Sequence, residues 1–94
     1  MKIGILTFHF YFPDCQSLKD KRSRVKPILH QLHREFNVSI AEMDLLDMWK
    51  ESVIVCVLIG NETAHIQRSL QRVYNFAEKK WPENIILDHK IELV

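Results

Sequence analysis

A chain of 94 residues that is 47% hydrophobic and 27% charged has the length and make-up of one small globular domain, which excludes a disordered polymer. Its net charge of +1 sets up no global field for nucleic acid or membrane, and only two glycines argue against a glycine-rich phosphate cradle. Cys15 and Cys56 form no C-x-x-C pair, no run approaches a membrane span, and the N-terminus alternates where a signal peptide would run apolar, so a reducing cytoplasm is the expected setting.

Residues 2–12 alternate at period two. Gly4, Leu6, Phe8, Phe10 and Phe12 form one face, and Ile3, Ile5, Thr7, His9 and Tyr11 the other. This predicts a half-buried strand with the phenylalanine face inward, ended by Pro13-Asp14. A helix then starts at Ser17, whose hydroxyl can cap the first turn while Asp20 completes an approximate capping box. Leu18, Val25, Leu29, Leu32 and Phe36 form its expected core stripe. Pro27 falls almost opposite that stripe, which favours one bent helix over a break near residues 24–26.

Residues 37–44 read as a second strand. Residues 45–51 form a connection rich in large apolar side chains, including Trp49. Residues 52–60 are a continuous β-branched run, the pattern of a central strand. A second helix follows, capped by Asn61 or Thr63, with Ile66, Leu70, Val73 and Ala77 inward and Tyr74 and Phe76 flanking. Trp81-Pro82 ends it. Residues 85–94 alternate again, with Ile85, Leu87, His89, Ile91 and Leu93 expected inward and His89 at the edge of the core, bonded to backbone.

The order β-α-β-β-α-β with two right-handed crossovers predicts a single α+β domain over residues 1–94. Its arrangement is ferredoxin-like: a four-stranded antiparallel sheet with two helices on one face. The other sheet face would show Thr7, His9 and Tyr11 beside Ile3, Ile5 and an aliphatic row of the third strand. That centre is too apolar for plain solvent surface.

Within this frame, Ser17-Leu18-Lys19-Asp20-Lys21-Arg22 follows a first strand that ends in proline, and Phe36-Asn37-Val38-Ser39-Ile40-Ala41-Glu42 opens the second strand. Asp44, Asp47 and Trp49 fill the next connection. Together these resemble the YlxP-like family of small bacterial proteins, over nearly the whole chain. The resemblance implies a ferredoxin-like fold and a gene neighbourhood shared with translation initiation and ribosome maturation factors. It supplies no catalytic residues. His9, Tyr11 and Cys15, at the end of the first strand, depart from the commoner family pattern.

The residues divide into few constellations. Lys19, Lys21, Arg22, Arg24 and Lys26 are candidate phosphate contacts, with Lys19, Arg22, Lys26 and His33 on one flank of the helix wheel. Basic groups near a helix N-terminus oppose the macrodipole, so the cluster calls for a reason beyond solubility. The competing reading is a solvated helix face with Lys21 or Arg22 paired to Glu42 or Asp44. Arg68, Arg72 and Lys79 form a second basic stripe on the second helix. RNA readers of this topology stack bases on aromatics of the central strands, and residues 52–60 hold none.

Glu42, Asp44 and Asp47 are expected to cap the loop and pair with the basic helix, since a calcium site needs more oxygen ligands and a glycine turn. His30 and His33 lack the further ligands of a zinc site. Residues 12–16 hold no glycine to wrap an anion, and Cys15 has no fixed base, which argues against an enzyme. The expectation is therefore a non-catalytic accessory protein with no cofactor and no metal. It contacts ribosomal RNA or the ribosome through the basic helix and forms a homodimer through Thr7, His9, Tyr11 or Trp49. The alternative is a homodimeric protein-interaction module without nucleic acid, and a small-ligand binder or cryptic enzyme ranks below both.

Overall fold

Six elements follow in the order β1 (Lys2–Tyr11), α1 (Leu18–Glu35), β2 (Ser39–Asp44), β3 (Glu51–Gly60), α2 (Thr63–Lys80) and β4 (Ile85–Leu93). They are those of a computed structural model describing residues 1–94. The sheet order is β2-β3-β1-β4 and every neighbouring pair is antiparallel. Both helices cover the same face, α1 against the β2 side and α2 across β1, β3 and β4. This is the ferredoxin-like arrangement expected from the element order.

The alternation in β1 sets the core. Leu6, Phe8, Phe10 and Phe12 are fully buried, and the three phenylalanine rings stack in series with centroids 5.1 and 5.8 Å apart. Gly4 lies on the same face because α2 passes too close for a side chain. A Cβ there would sit 2.2 Å from Ile66 Cγ2 and 2.8 Å from Leu70 Cδ1.

In α1, Ser17 Oγ accepts the Asp20 amide at 3.0 Å, as the capping reading requires. The reciprocal bond falls one residue earlier than in a capping box: Asp20 Oδ2 accepts from the Gln16 amide at 3.1 Å. Pro27 is exposed and the helix runs through it unbroken. The buried stripe differs from the expected one. It holds Lys21, Val25, Ile28 and Leu32, while Leu29 is only half-buried. Counting Lys21 as a surface residue rotates the predicted stripe round the wheel toward Leu18 and Leu29.

The inward set of α2 is Ile66, Leu70, Val73 and Ala77, as its periodicity predicts. Its N-cap is Glu62, with no side-chain bond, so neither Asn61 nor Thr63 caps it. β4 departs most from expectation. Its partners on β1 shift by one between His9 and Phe10, which leaves Leu87 as an extra residue. A bulge sends the residues on its two sides to opposite faces. Ile86, opposite Phe10, therefore packs on the core, while Ile85 and Leu87 are exposed. His89 does face the helices, but its ring stacks on Tyr74 with centroids 3.9 Å apart.

A candidate nucleic-acid interface on the first helix

The five basic residues of α1 separate into three kinds. Lys21 is wholly buried, which corrects the expectation that it faces phosphate. Its ammonium lies 2.9 Å from Glu42 Oε2 and donates to the carbonyls of Leu45, Leu46 and Glu51 at 2.8, 3.2 and 3.2 Å. A lysine with every proton engaged is tolerable inside a fold, whereas a free one is not. The same carboxylate oxygen of Glu42 accepts from Ser52 Oγ at 2.7 Å. Ser52, fully buried at the start of β3, completes this network, and a hydroxyl among β-branched residues is its only sequence signal.

Arg24 is committed as well. Its guanidinium pairs with Asp14 and donates to Asn84 Oδ1 at 3.2 Å, tying α1 to the loops that precede α1 and β4. Lys19, Arg22 and Lys26 are exposed and have no acidic partner. They stand three and four residues apart on one flank of α1 and line a single concavity with Val25, Leu29 and Glu42. Glu42 is the only acid there, and Lys21 neutralises it from beneath. The surface of the groove is thus distinctly positive although the chain as a whole carries only +1.

This groove continues. Leu29 is shared with a second depression lined by His30, His33, Ser39 and Ile40. His33 and Ser39 are shared with a third, which reaches Asn37, Leu58 and Ile59. The trough follows the α1–β2 edge, and from Lys19 to His33 alone it spans about 20 Å of helix. His33 Nδ1 is 2.9 Å from the Val38 carbonyl, which fixes its ring across the trough. Sequence reading missed this continuity, since it depends on how far β2 stands from α1.

The open sheet face carries Thr7, His9 and Tyr11 as expected, each half-buried. Opposite them on β3 stand Val55, Val53 and Glu51. His9 Nε2 is 2.8 Å from Glu51 Oε1. On the β4 side the same residues of β1 meet Lys90, Asp88 and Ile85, so this face is aliphatic in the centre and charged along one border. Trp49, Met48 and Tyr11 form a shallow cleft at the end of the face. The loop carrying Trp49 is pinned by Lys21 through its carbonyls, and Leu45 within it adopts a positive φ of 59°.

Asp44 and Asp47 behave as loop residues. Asp44 Oδ1 accepts the Leu45 amide at 2.8 Å, and Asp47 lines the Trp49 cleft. Cys15 and Cys56 are both free and buried. Burial pushes the Cys15 thiol up against the lowering effect of nearby Arg24, and burial alone pushes Cys56 up to about 12. Neither has thiolate character at neutral pH.

These features define a class: a small ferredoxin-like α+β domain with a basic trough along its first helix and an aliphatic open sheet. Residues 3–90 match the family described as Protein of unknown function (DUF503), and the chain belongs to it. It is 34% identical over 81 residues to the Uncharacterized protein YlxP of Bacillus subtilis (strain 168), covering 86% of this chain and 87% of that one. The de novo designed protein Foldit4 matches the whole chain and 97% of its own, with a TM-score of 0.56 at 14% identity, a likeness of fold alone.

Proposed function

We propose that the protein is a non-catalytic accessory factor that binds single-stranded RNA, with the ribosome as its setting. Lys19, Arg22 and Lys26 contact the phosphates. The observation that carries this reading is the neutralisation of Glu42 by buried Lys21, which leaves three unpaired cations over a groove holding no free acid. A single strand can follow such a groove, with phosphates on the lysines and arginine and bases on the apolar floor of Val25 and Leu29. His30 and His33 offer rings for stacking further along. The ribosomal setting comes from the gene neighbourhood that the family resemblance implies. The test is co-sedimentation with ribosomal subunits at low and raised salt. Co-migration that fades as salt rises is the expected result, and absence from every ribosomal fraction at low salt overturns it.

The aliphatic centre of the open sheet supports a second reading, a homodimer packed face to face with no nucleic acid involved. Ile3, Ile5, Val53, Val55 and Val57 are half-buried on that face with no helix over them. Buried interface cores have this composition. Self-association that RNA does not affect, together with failure to bind RNA, would favour this reading over the first.

A further inference from the structure

The trough ends in a cavity of about 270 Å³. One wall is α2, which presents His65, Ser69 and Arg72. Spacings of four and then three residues stack these side chains on one helix face. Neither His65 nor Arg72 takes part in any of the four ion pairs of the structure. An imidazole, a hydroxyl and a guanidinium therefore border one volume, and Glu35, the one acid lining it, is paired with none of them. Arg72 is exposed, as the basic stripe with Arg68 and Lys79 predicts, and it also borders this cavity.

The opposite wall differs in chemistry. Glu35 and Asn37, at the turn from α1 into β2, supply acceptors. Phe36 and Leu58 contribute an apolar surface, while Ile59, paired with Ile3, turns its side chain toward the open sheet, and Val73 is closed off from solvent. The cavity thus asks for a ligand with an anion at one end, an apolar middle and N–H donors at the other. Glu35 disfavours a ligand that is anionic at both ends.

We propose that this cavity binds a phosphate monoester carried by a nucleoside. Arg72 takes two phosphate oxygens through its guanidinium fork, and His65 and Ser69 hold the third. The nucleobase lies on the apolar surface and donates its exocyclic amino group to Glu35 or Asn37. Two sources share this chemistry: a free mononucleotide, and the phosphorylated end of a strand lying in the trough. The strand-end source rests on the RNA-binding reading given above, because Asn37, Leu58 and Ile59 line both the cavity and the trough. The mononucleotide source does not.

The experiment uses amide NMR shifts and fluorescence anisotropy on the intact protein. Its probes are AMP, adenosine, and a short adenine-rich RNA with and without a terminal phosphate. AMP should shift the amides of residues 59 and 65–73, and adenosine should not. Arg72→Gln, an exposed change with an unfolding midpoint expected to match the parent, should abolish that shift. If the strand end is the ligand, its phosphate should tighten RNA binding about tenfold, as a bidentate charge-assisted contact would. Arg72→Gln should remove that gain, and neutralising Lys19, Arg22 and Lys26 should leave it in place. RNA binding indifferent to the terminal phosphate, with no response to AMP, overturns the cavity assignment and leaves the trough intact. A phosphate preference unaffected by neutralising the three α1 cations, with salt dependence unchanged, upholds the cavity and removes the trough. AMP shifts alone would identify the free nucleotide as the ligand. A free amino acid shifting the same amides where AMP does not would overturn the proposal.

Discussion

The Lys21 ammonium and the Glu42 carboxylate lie 2.9 Å apart beneath the α1–β2 edge, and the lysine has no exposure to water at all. One contact links the two segments that carry the family resemblance. It also holds the Leu45 and Leu46 carbonyls, so the β2–β3 loop hangs from a side chain of α1. Lys21→Met keeps the volume but strands a buried carboxylate and three carbonyls. Removing one partner of such a pair costs about 3–5 kcal/mol. Urea unfolding should show that loss, and Lys21→Met combined with Glu42→Leu should recover much of it. A single variant as stable as the parent would show that the pair has no structural role.

Neutralising Lys19, Arg22 and Lys26 together should weaken RNA binding and flatten its salt dependence. Each phosphate contact on a single strand contributes about 0.7 to the slope of log affinity against log salt, so the triple variant should lose about 2. Circular dichroism should be unchanged, because all three side chains are exposed. An unaltered slope would place the phosphates elsewhere on the molecule.

Gly4→Ala should destabilise more than Gly60→Ala. The added methyl at Gly4 meets Ile66 Cγ2 at 2.2 Å, so the buried Ile66 side chain or the helix that carries it must shift, whereas at Gly60 the nearest atom is Ile66 Cγ1 at 3.2 Å. Overpacking of the first kind costs about 1–3 kcal/mol. Thermal unfolding of the two variants side by side gives the order, and the reverse order would contradict the packing of α2 on β1.

Alkali should destabilise the fold through Cys56. Burial raises its thiol from 9.0 to about 12 in the native state. Between those values the unfolded chain has lost the proton that the folded chain keeps. Fewer protons bound in the unfolded state means that stability falls as pH rises. The contribution is fully present below pH 9 and is lost on the order of 4 kcal/mol by pH 12. Cys15 and Tyr74, both also raised by burial, act in the same direction. Denaturant titrations across this range should show a shallower alkaline decline for Cys56→Ala.

Val55→Glu tests the open sheet. Val55 sits opposite Thr7 in the middle of the aliphatic face. If two copies pack there, light scattering should give a dimer mass for the parent and a monomer mass for the variant, with little effect of salt. A monomeric parent at high concentration would remove the homodimer reading.

Most of the architecture was legible because periodicity carries it. The phenylalanine alternation of β1 and the inward set of α2 follow directly from spacing. What escaped depended on distances between elements. A Lys21–Glu42 pair is among those the charge pattern allows, but the full burial of Lys21 is not readable from it. Leu87 looks like an inward residue until a bulge changes its side. The candidate site was half legible: the flank of Lys19, Arg22 and Lys26 came from the helix wheel. The trough beyond it, and the cavity that Arg72 borders, came only from the packing of α1, β2 and α2.

Both outer strands of the sheet carry an extra residue, Leu87 in β4 and Met43 in β2. These account for two of the large exposed side chains, at 52% and 61%. An outer strand offers a row of unpaired amides and carbonyls to any passing chain, and an irregular strand is a poor template for them. β4 adds Asp88, Lys90 and Glu92 along the same margin. The fold therefore resists polymerising edge to edge into fibrils, and a crowded solution of this protein is steered toward contacts through its faces.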